Sequence, residues 1–194
     1  MDLSANALPV FEAREDYPYR ILPDGVYPCD EAGLRAGFVA PFPDSETRPA
    51  IFEGFLRLRA EVVGLGIPAT QWVDGSFVEA KLDPEDVDVV SFLDYDKLEA
   101  LDDTAKEQLR RLLDGRTTTK AAYRSHTFAV ASCSLGHPFY PTFEMARRYW
   151  RGLWGKTRPL VTPEAQELPG HTKGFVAMPL GDPAQVPHIS PAKE

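Results

Sequence analysis

Helix-type and strand-type apolar patterns alternate along this chain, and that alternation restricts the fold more than any other feature. Apolar residues in the segment 45–65 recur at three- and four-residue steps, which predicts a helix with one buried face. That stripe consists of Ile51, Phe55, Leu58 and Val62. Residues 87–93 instead form a short valine-rich run, which is typical of a buried strand. This alternation predicts an α/β (α+β) fold, a mixed sheet flanked by helices.

Further segments fit the same alternation. A short helix is predicted over residues 30–38, with Asp30 as its N-cap. Further helices are predicted over residues 94–101, 104–113 and 143–154. Further strands are predicted over residues 71–74, 126–131 and 173–178. In the helix 143–154, the side chains expected to face inward are Ala146, Trp150 and Leu153.

The chain length of 194 residues suits one domain with short extensions. Residues 1–28 contain prolines without periodicity and are interpreted as an irregular N-terminal arm. Residues 29–178 are expected to form the single domain. Residues 179–194 hold four prolines and few apolar residues, which predicts a loose C-terminal tail.

Several protein classes are disfavoured by the composition. No apolar run approaches the roughly 18 residues of a membrane-spanning helix, and the first residues do not resemble a secretory signal. The two cysteines, Cys29 and Cys133, do not make a disulfide framework or a zinc motif. We therefore expect a cytoplasmic protein with free thiols and no membrane partner.

The charge balance also limits the partners. The chain has 21 Lys and Arg residues against 29 Asp and Glu residues, which gives a net charge of −8. A surface of that sign repels polyanions at long range, so broad non-specific coating of nucleic acid is disfavoured. A local basic groove remains compatible with this balance.

The most informative acidic residues are Asp86 and Asp88, which open the valine-rich strand. Side chains alternate across a strand, so these two carboxylates are expected on the same face. They repel each other unless a cation or a donor lies between them. Mg²⁺ prefers such oxygen ligands and leaves coordination sites for phosphate oxygens. The alternative is that the pair is a solvated strand end.

A complementary feature precedes them at Gly75 and Ser76. The glycine allows backbone N–H groups to approach a phosphate closely, and the serine hydroxyl can donate to a phosphate oxygen. Nine residues separate Ser76 from Asp86, with a predicted strand on either side. A Gly-Ser pair alone is an ordinary turn, so the prediction of a nucleotide site rests on the two features together.

These two features resemble the signature of the polymerase-β-type nucleotidyltransferase superfamily. More narrowly, the chain resembles a family of small, uncharacterised bacterial nucleotidyltransferase-like proteins. The matching segments are residues 22–25 (LPDG), the helix 45–65, residues 73–78 (VDGSFV), 84–90 (PEDVDVV), 149–155 (YWRGLWG) and 173–174 (KG). The resemblance implies a nucleotidyltransferase-like fold over most of residues 20–180.

The resemblance also implies a metal-dependent transfer of a nucleotidyl group from an NTP to an acceptor hydroxyl. Asp86 and Asp88 would hold Mg²⁺ or Mn²⁺, and Gly75 and Ser76 would hold the terminal phosphates. The acceptor would be a small molecule, an RNA or a protein. The alternative is a catalytically weak or inactive nucleotide- or partner-binding regulator, such as one half of a toxin–antitoxin or defence pair.

The chain departs from the superfamily pattern on the later strand, where a third carboxylate is usual. That strand contains no Asp or Glu, and His126 is the best candidate for the equivalent position, with Ser125 second. Imidazole suits Mg²⁺ poorly but can act as a general base near neutral pH. The alternative is that His126 only packs or forms hydrogen bonds.

A second departure is the absence of Arg directly after Gly75-Ser76. The phosphate charge must then be met elsewhere, and Lys81, Lys120 and Arg124 are the first candidates. A further basic cluster consists of Arg147, Arg148, Arg151, Lys156 and Arg158. That cluster is interpreted as a solvated helix face, and Trp150 and Trp154 on the same helix as core residues.

Overall fold

The computed structural model describes residues 8–113, 116–161, 167–168, 170–181, 186 and 189. Six α-helices lie within these residues. They are α1 (Glu31–Phe38), α2 (Arg48–Gly64), α3 (Tyr95–Glu99), α4 (Asp103–Leu113), α5 (Arg116–Tyr123) and α6 (Tyr140–Trp154). None of the helices in the described part of the chain is long and apolar enough to span a membrane.

The centre of the structure is a five-stranded sheet. Its strands are β1 (Val26–Pro28), β2 (Ala69–Asp74), β3 (Val87–Asp94), β4 (Ser125–Ser132) and β7 (Phe175–Leu180). They are ordered β1-β7-β2-β3-β4. The β1–β7 and β3–β4 pairs are parallel, whereas β2 runs antiparallel to both of its neighbours. A separate two-stranded ladder is formed by β5 (Leu160–Val161) and β6 (Glu167–Leu168).

The predicted α/β (α+β) fold is confirmed, because a mixed sheet with helices is what the structure contains. The predicted N-cap of α1 is also present, since Asp30 Oδ1 accepts a hydrogen bond of 2.7 Å from the Gly33 backbone. Four elements were not predicted: α5, β1 and the short strands β5 and β6. Helix α5 is rich in threonine, whose branched side chain lowers helix propensity and hides the helix in the sequence. Strand β1 lies inside the segment 1–28 interpreted as irregular.

Hydrophobic clusters cover both faces of the sheet. On one face, the apolar stripe of α2 (Ile51, Phe55, Leu58 and Val62) is fully buried, as predicted. The inward residues of β3 on that face include Val87 and Val89. On the other face, Trp72 and Val90 pack with residues of α6. The chain therefore places alternate residues of its central strands into two separate cores.

The predicted inward face of α6 is partly wrong. Leu153 is 49% exposed, whereas Phe143 and Trp154 are buried against the sheet. The helix begins three residues earlier than predicted, at Tyr140. Its apolar residues occur around most of its circumference, so sequence periodicity alone could not select the buried side. An apolar stripe consequently remains at the surface.

The chain termini were assigned from composition. Within the N-terminal arm, Ile21 forms an isolated β-bridge with Glu12, and Ile21 and Leu22 are buried. At the other end, β7 extends to Leu180 and so includes the first residues of the predicted tail. The rest of that predicted tail lies outside the described residues, apart from residues 181, 186 and 189.

Candidate functional site

A row of three polar side chains crosses three neighbouring strands of the sheet, at the end of β2 and the starts of β3 and β4. Asp74 at the end of β2 is the register partner of Asp88 in β3, and Asp88 is the register partner of His126 in β4. Directly opposed residues point to the same face of a sheet. This face is the one covered by α6, because Val90 belongs to that core. The sheet therefore aligns two carboxylates and an imidazole.

Asp86 extends this row beyond the start of β3. It lies two residues before Asp88 and is close enough to raise the pKa of that carboxyl. Its Oδ2 lies 3.0 Å from Lys120 Nζ, which also lies 3.2 Å from Glu85 Oε2. Hydrogen bonds to Asp86 and Glu85 raise the pKa of Lys120. Helix α5, which was not predicted, thus brings a cation to the acidic pair.

Asp88 is buried, with 8% of the residue exposed. Its Oδ1 lies 3.0 Å from Nδ1 of His126. Burial raises the pKa of Asp88 and Asp86 raises it further, while His126 and Arg158 oppose the shift. The ionised carboxylate is therefore costly in this environment and gains from a cation placed beside it. Among the described residues, the other ring nitrogen of His126 is buried without a hydrogen-bond partner.

The Gly75-Ser76 turn lies directly against Asp88. Gly75 has a φ of +82°, in the region that favours glycine, and a Cβ atom at this position would collide with the Asp88 carboxylate. Ser76 begins a 3₁₀ turn, Ser76–Val78, that leads the chain away from β2. Two independent constraints, conformation and space, thus require glycine here. Of the four residues from which the sequence predicts a nucleotide site, Gly75 lies against Asp88, Asp86 influences the pKa of Asp88, and Ser76 directly follows Gly75.

A buried network of charged residues surrounds Asp74, at the β2 end of the row. Lys173 Nζ is 2.9 Å from Asp74 Oδ1 and 2.7 Å from Glu79 Oε1. All three residues are at most 5% exposed. Tyr17, in the N-terminal arm, donates a hydrogen bond of 2.9 Å to the other Glu79 oxygen. This network connects the segment before β7 to both ends of the turn that contains Ser76.

Burial dominates the electrostatics of this network. It raises the pKa of Asp74 to about 6, although Lys173 lowers that pKa and Asp88 raises it. For Lys173, burial alone would lower the pKa, but Asp74 and Glu79 outweigh it and the net pKa is raised. The lysine therefore stays charged and holds the two carboxylates together.

Arg48 fixes the loop that joins the turn to β3. Its guanidinium is fully buried and donates to backbone carbonyls rather than to carboxylates. The acceptors are Phe38 O at 2.6 Å, Phe77 O at 2.7 Å, Glu79 O at 2.6 Å and Lys81 O at 2.6 Å. Burial lowers the pKa of Arg48 to about 10. The first turn of α2 is thus tied to the loop that carries Glu79.

The phosphate-binding candidates are divided by the structure. Lys120 contacts Asp86, and Arg158 is close enough to Asp88 to influence its pKa. Within the described residues, the side chains of Lys81 and Arg124 form no hydrogen bond or ion pair with the acidic pair.

Each of these two residues has a different local role. The Lys81 carbonyl is an acceptor for Arg48. Arg124 has an exposed side chain and a φ of +50°, and its backbone links α5 to β3 through Lys120 and Val87.

The other basic candidates lie on α6 or just after it. Arg147 is buried and pairs with Glu144, and Arg151 pairs with Asp24. Arg148 is exposed and also pairs with Glu144, as the interpretation of a solvated helix face expects. Trp154 is a buried core residue, which confirms that part of the interpretation.

The donor set is incomplete for a self-sufficient metal centre. No group of three or more His, Cys, Asp or Glu side chains within the described part of the chain is arranged to hold a metal ion. The two carboxylates Asp86 and Asp88 fit only the kind of Mg²⁺ site in which one or two carboxylates bind the ion together with the phosphates of the substrate. Metal and nucleotide would then have to bind together.

Asp74, Glu79 and Lys173 were missed as site residues by the sequence analysis. The available signal was the alternation Trp72-Asp74, which places Asp74 on the same face as the row. Glu79 and Lys173 are 94 residues apart in the sequence, so no local spacing pairs them. Only the three-dimensional structure reveals their contact.

Comparison with known proteins identifies a family. Residues 16–179 match a protein family described as a family of unknown function (DUF6932). Because the match covers most of the 194 residues, the chain belongs to this family. No curated protein and no solved structure matches the chain. The description assigns no activity, so a function must be argued from the site itself.

Proposed function

We propose that this member of the family binds a Mg²⁺–NTP complex, or its Mn²⁺ equivalent, at Asp86, Asp88 and the Gly75-Ser76 turn. The proposal includes attack of an acceptor hydroxyl, on a small molecule, an RNA or a protein, on the α-phosphorus of the NTP. The nucleotidyl group is transferred to that oxygen, and pyrophosphate and the hydroxyl proton are released. One observation carries the proposal: a glycine turn with room for no side chain lies against one of two paired carboxylates. Cellular NTP and the free thiols of the chain fit a cytoplasmic location.

The residues of this site have complementary roles in the proposal. Asp86 and Asp88 would hold the metal ion, which when bound neutralises charge on the phosphate oxygens. The Ser76 hydroxyl and the backbone of the turn would donate to the terminal phosphates. Lys120 would exchange its contact with Asp86 for a phosphate oxygen, since its side chain is 47% exposed and therefore free to move.

A second candidate function is nucleotide binding without turnover. His126 is the register partner of Asp88 and contacts it directly; the resemblance implies a third carboxylate on this strand, and His126 is the residue proposed for that position. Imidazole is a poor Mg²⁺ ligand, so activation of the acceptor would be weak. A regulator with a protein partner, such as one half of a toxin–antitoxin or defence pair, would need only the binding step.

Thermal stabilisation tests the binding step. Melting temperature is measured without ligand, with Mg²⁺, with each NTP, and with both together. We expect the full increase only for the combination, because Lys120 and His126 already contact the carboxylates that the metal needs. The variant Asp86→Ala plus Asp88→Ala should lose this increase.

A matched control is Asp44→Ala plus Glu46→Ala. It removes two acidic charges at the same spacing, from exposed positions before α2. This control should keep the metal-dependent increase. An increase that survives in the Asp86/Asp88 variant, or is absent from the wild type, would contradict the proposal. Transfer of label from an α-³²P-labelled NTP then separates the enzyme from the binder.

A further inference from the structure

Helix α6 and the loop after it present an exposed surface that the proposed NTP site does not use. Three apolar side chains spaced four residues apart lie along it: Met145 is 65% exposed, Tyr149 63% and Leu153 49%. Together with the exposed cations Arg148, Lys156 and Arg158, these residues are called the α6 surface. An exposed apolar stripe of this kind marks an interaction site.

The charge of this segment is opposite to that of the chain. Residues 140–158 contain five basic residues and one acidic residue, whereas the whole chain has a net charge of −8. Ion pairs occupy three of the basic side chains: Arg147 and Arg148 share Glu144 at 2.7 and 2.8 Å, and Arg151 is 3.0 Å from Asp24. Because Glu144 carries one negative charge against two arginines, and Lys156 and Arg158 are exposed, the α6 surface keeps an excess of positive charge. A polyanion would be steered to this surface and repelled elsewhere.

A series of aromatic rings connects the α6 surface to the carboxylate row. Ring centroids are 5.3 Å apart for Tyr149 and Trp150, 4.5 Å for Trp150 and Phe128, and 4.5 Å for Phe128 and His126. His126 in turn contacts Asp88. Arg158 also links the two regions, because it influences the pKa of Asp88. The α6 surface is therefore linked to the carboxylate row through packed aromatic rings.

We infer that the α6 surface binds single-stranded nucleic acid. Exposed aromatic rings stack on unpaired bases, and neighbouring Lys and Arg side chains follow the phosphate backbone. In a duplex the base faces are already stacked, so Tyr149 would gain little contact with it. The inference stands on α6 and does not require the NTP site to bind nucleotide. If both are present, the acceptor hydroxyl belongs to an oligonucleotide.

Fluorescence anisotropy tests the inference with two labelled single strands, oligo(U) RNA and oligo(dT) DNA of about 20 nucleotides, and a duplex of equal length. We expect single strands to bind better than the duplex. Three phosphate contacts predict a slope of about −2 for log K against log salt. Comparison of the RNA and DNA strands shows which nucleic acid is preferred.

Matched variants separate stacking from charge. Tyr149→Ala should weaken binding roughly tenfold with little change in salt slope, and Tyr149→Phe should retain affinity. Arg148→Gln should make the slope shallower by about 0.7. Arg111→Gln is the control, because the two arginines have similar surroundings. The Arg111 side chain is 74% exposed and pairs with Glu107, and the Arg148 side chain is 73% exposed and pairs with Glu144, in each case an acid four residues earlier. The Arg111→Gln variant should leave the slope unchanged.

Four outcomes would overturn the inference. The first is that neither single strand binds at about 50 mM salt; the second is that Arg111→Gln changes the salt slope as much as Arg148→Gln does. The third is full affinity of Tyr149→Ala for the single strands, and the fourth is self-association of the wild type that Tyr149→Ala abolishes, without any oligonucleotide binding. The last outcome would identify a protein interface instead. The Asp86/Asp88 double variant should keep its oligonucleotide affinity, which separates this inference from the proposed NTP site.

Discussion

Lys173→Met removes the only positive charge in contact with two buried carboxylates among the described residues. Lys173 is 2% exposed and lies within 2.9 Å of both Asp74 and Glu79. Methionine preserves most of the side-chain volume but leaves the acids without their partner. Removing one member of a buried pair costs about 3–5 kcal/mol, because an uncompensated charge remains. We expect a loss of unfolding free energy of that size at pH 7.

The loss should shrink on acidification. The pKa of Asp74 in the folded wild type is raised to about 6, mainly by burial. A raised carboxyl pKa means that the folded state favours the protonated form, so ionised Asp74 costs stability above pH 6 and not at low pH. Without Lys173 the pKa of Asp74 rises further and the cost at pH 7 grows. At pH 5 most Asp74 is protonated in both proteins, so they should differ less.

Urea denaturation at pH 7 and pH 5 measures both quantities. Lys156→Met is the control, because Lys156 is exposed and its loss should change stability by less than about 0.5 kcal/mol. The triple variant with Lys173→Met, Asp74→Asn and Glu79→Gln should recover most of the loss, since no buried charge remains. A loss below about 1 kcal/mol at pH 7, or an equal loss at pH 5, would refute the reasoning.

Two further comparisons of variants test the Gly75 turn and the loop that follows it. Gly75→Ala and Gly66→Ala both place a side chain at positive φ, but only at Gly75 would the new Cβ meet Asp88. Gly66→Ala should cost about 1 kcal/mol of unfolding free energy, and Gly75→Ala at least about 2 kcal/mol more, both measured in urea. Arg48→Met should lower stability by about 3–5 kcal/mol, because several buried carbonyls lose their donor. Arg48→Lys should recover only part of this loss, since an ammonium lacks the planar fork of the guanidinium. Equal losses for the two glycines, or full recovery by lysine, would contradict these explanations.

Local periodicity was sufficient to predict features that depend on a single helix or strand. The buried face of α2 follows from three- and four-residue spacing. The shared face of Asp86 and Asp88 stays a prediction, because β3 begins at Val87, one residue after Asp86. The phosphate-binding role assigned to Gly75 from the sequence also stays a prediction. The structure gives a different reason for glycine here, which is contact with Asp88. Predicting the buried face of α2 needs only a handful of neighbouring residues.

Long-range register could not be predicted in the same way. The pairing of Asp74 with Asp88 depends on how a 12-residue connection between β2 and β3 folds back. Lys173 comes from the opposite end of the chain, and its partner Glu79 reads as an ordinary polar residue. On α6, apolar residues around the helix left its orientation open, so the exposure of Leu153 was missed.

The charge arrangement explains why metal and nucleotide would have to arrive together. Each carboxylate of the row already has a nitrogen partner: Lys173 for Asp74, His126 for Asp88 and Lys120 for Asp86. A divalent ion alone must compete with Lys120 and His126 for the same oxygens. A triphosphate changes this balance, because its oxygens can accept from Lys120 while they supply the remaining ligands of the ion. The buried Lys173, which is 2% exposed, cannot leave Asp74 in the same way, so Asp74 supports the row without becoming a metal ligand.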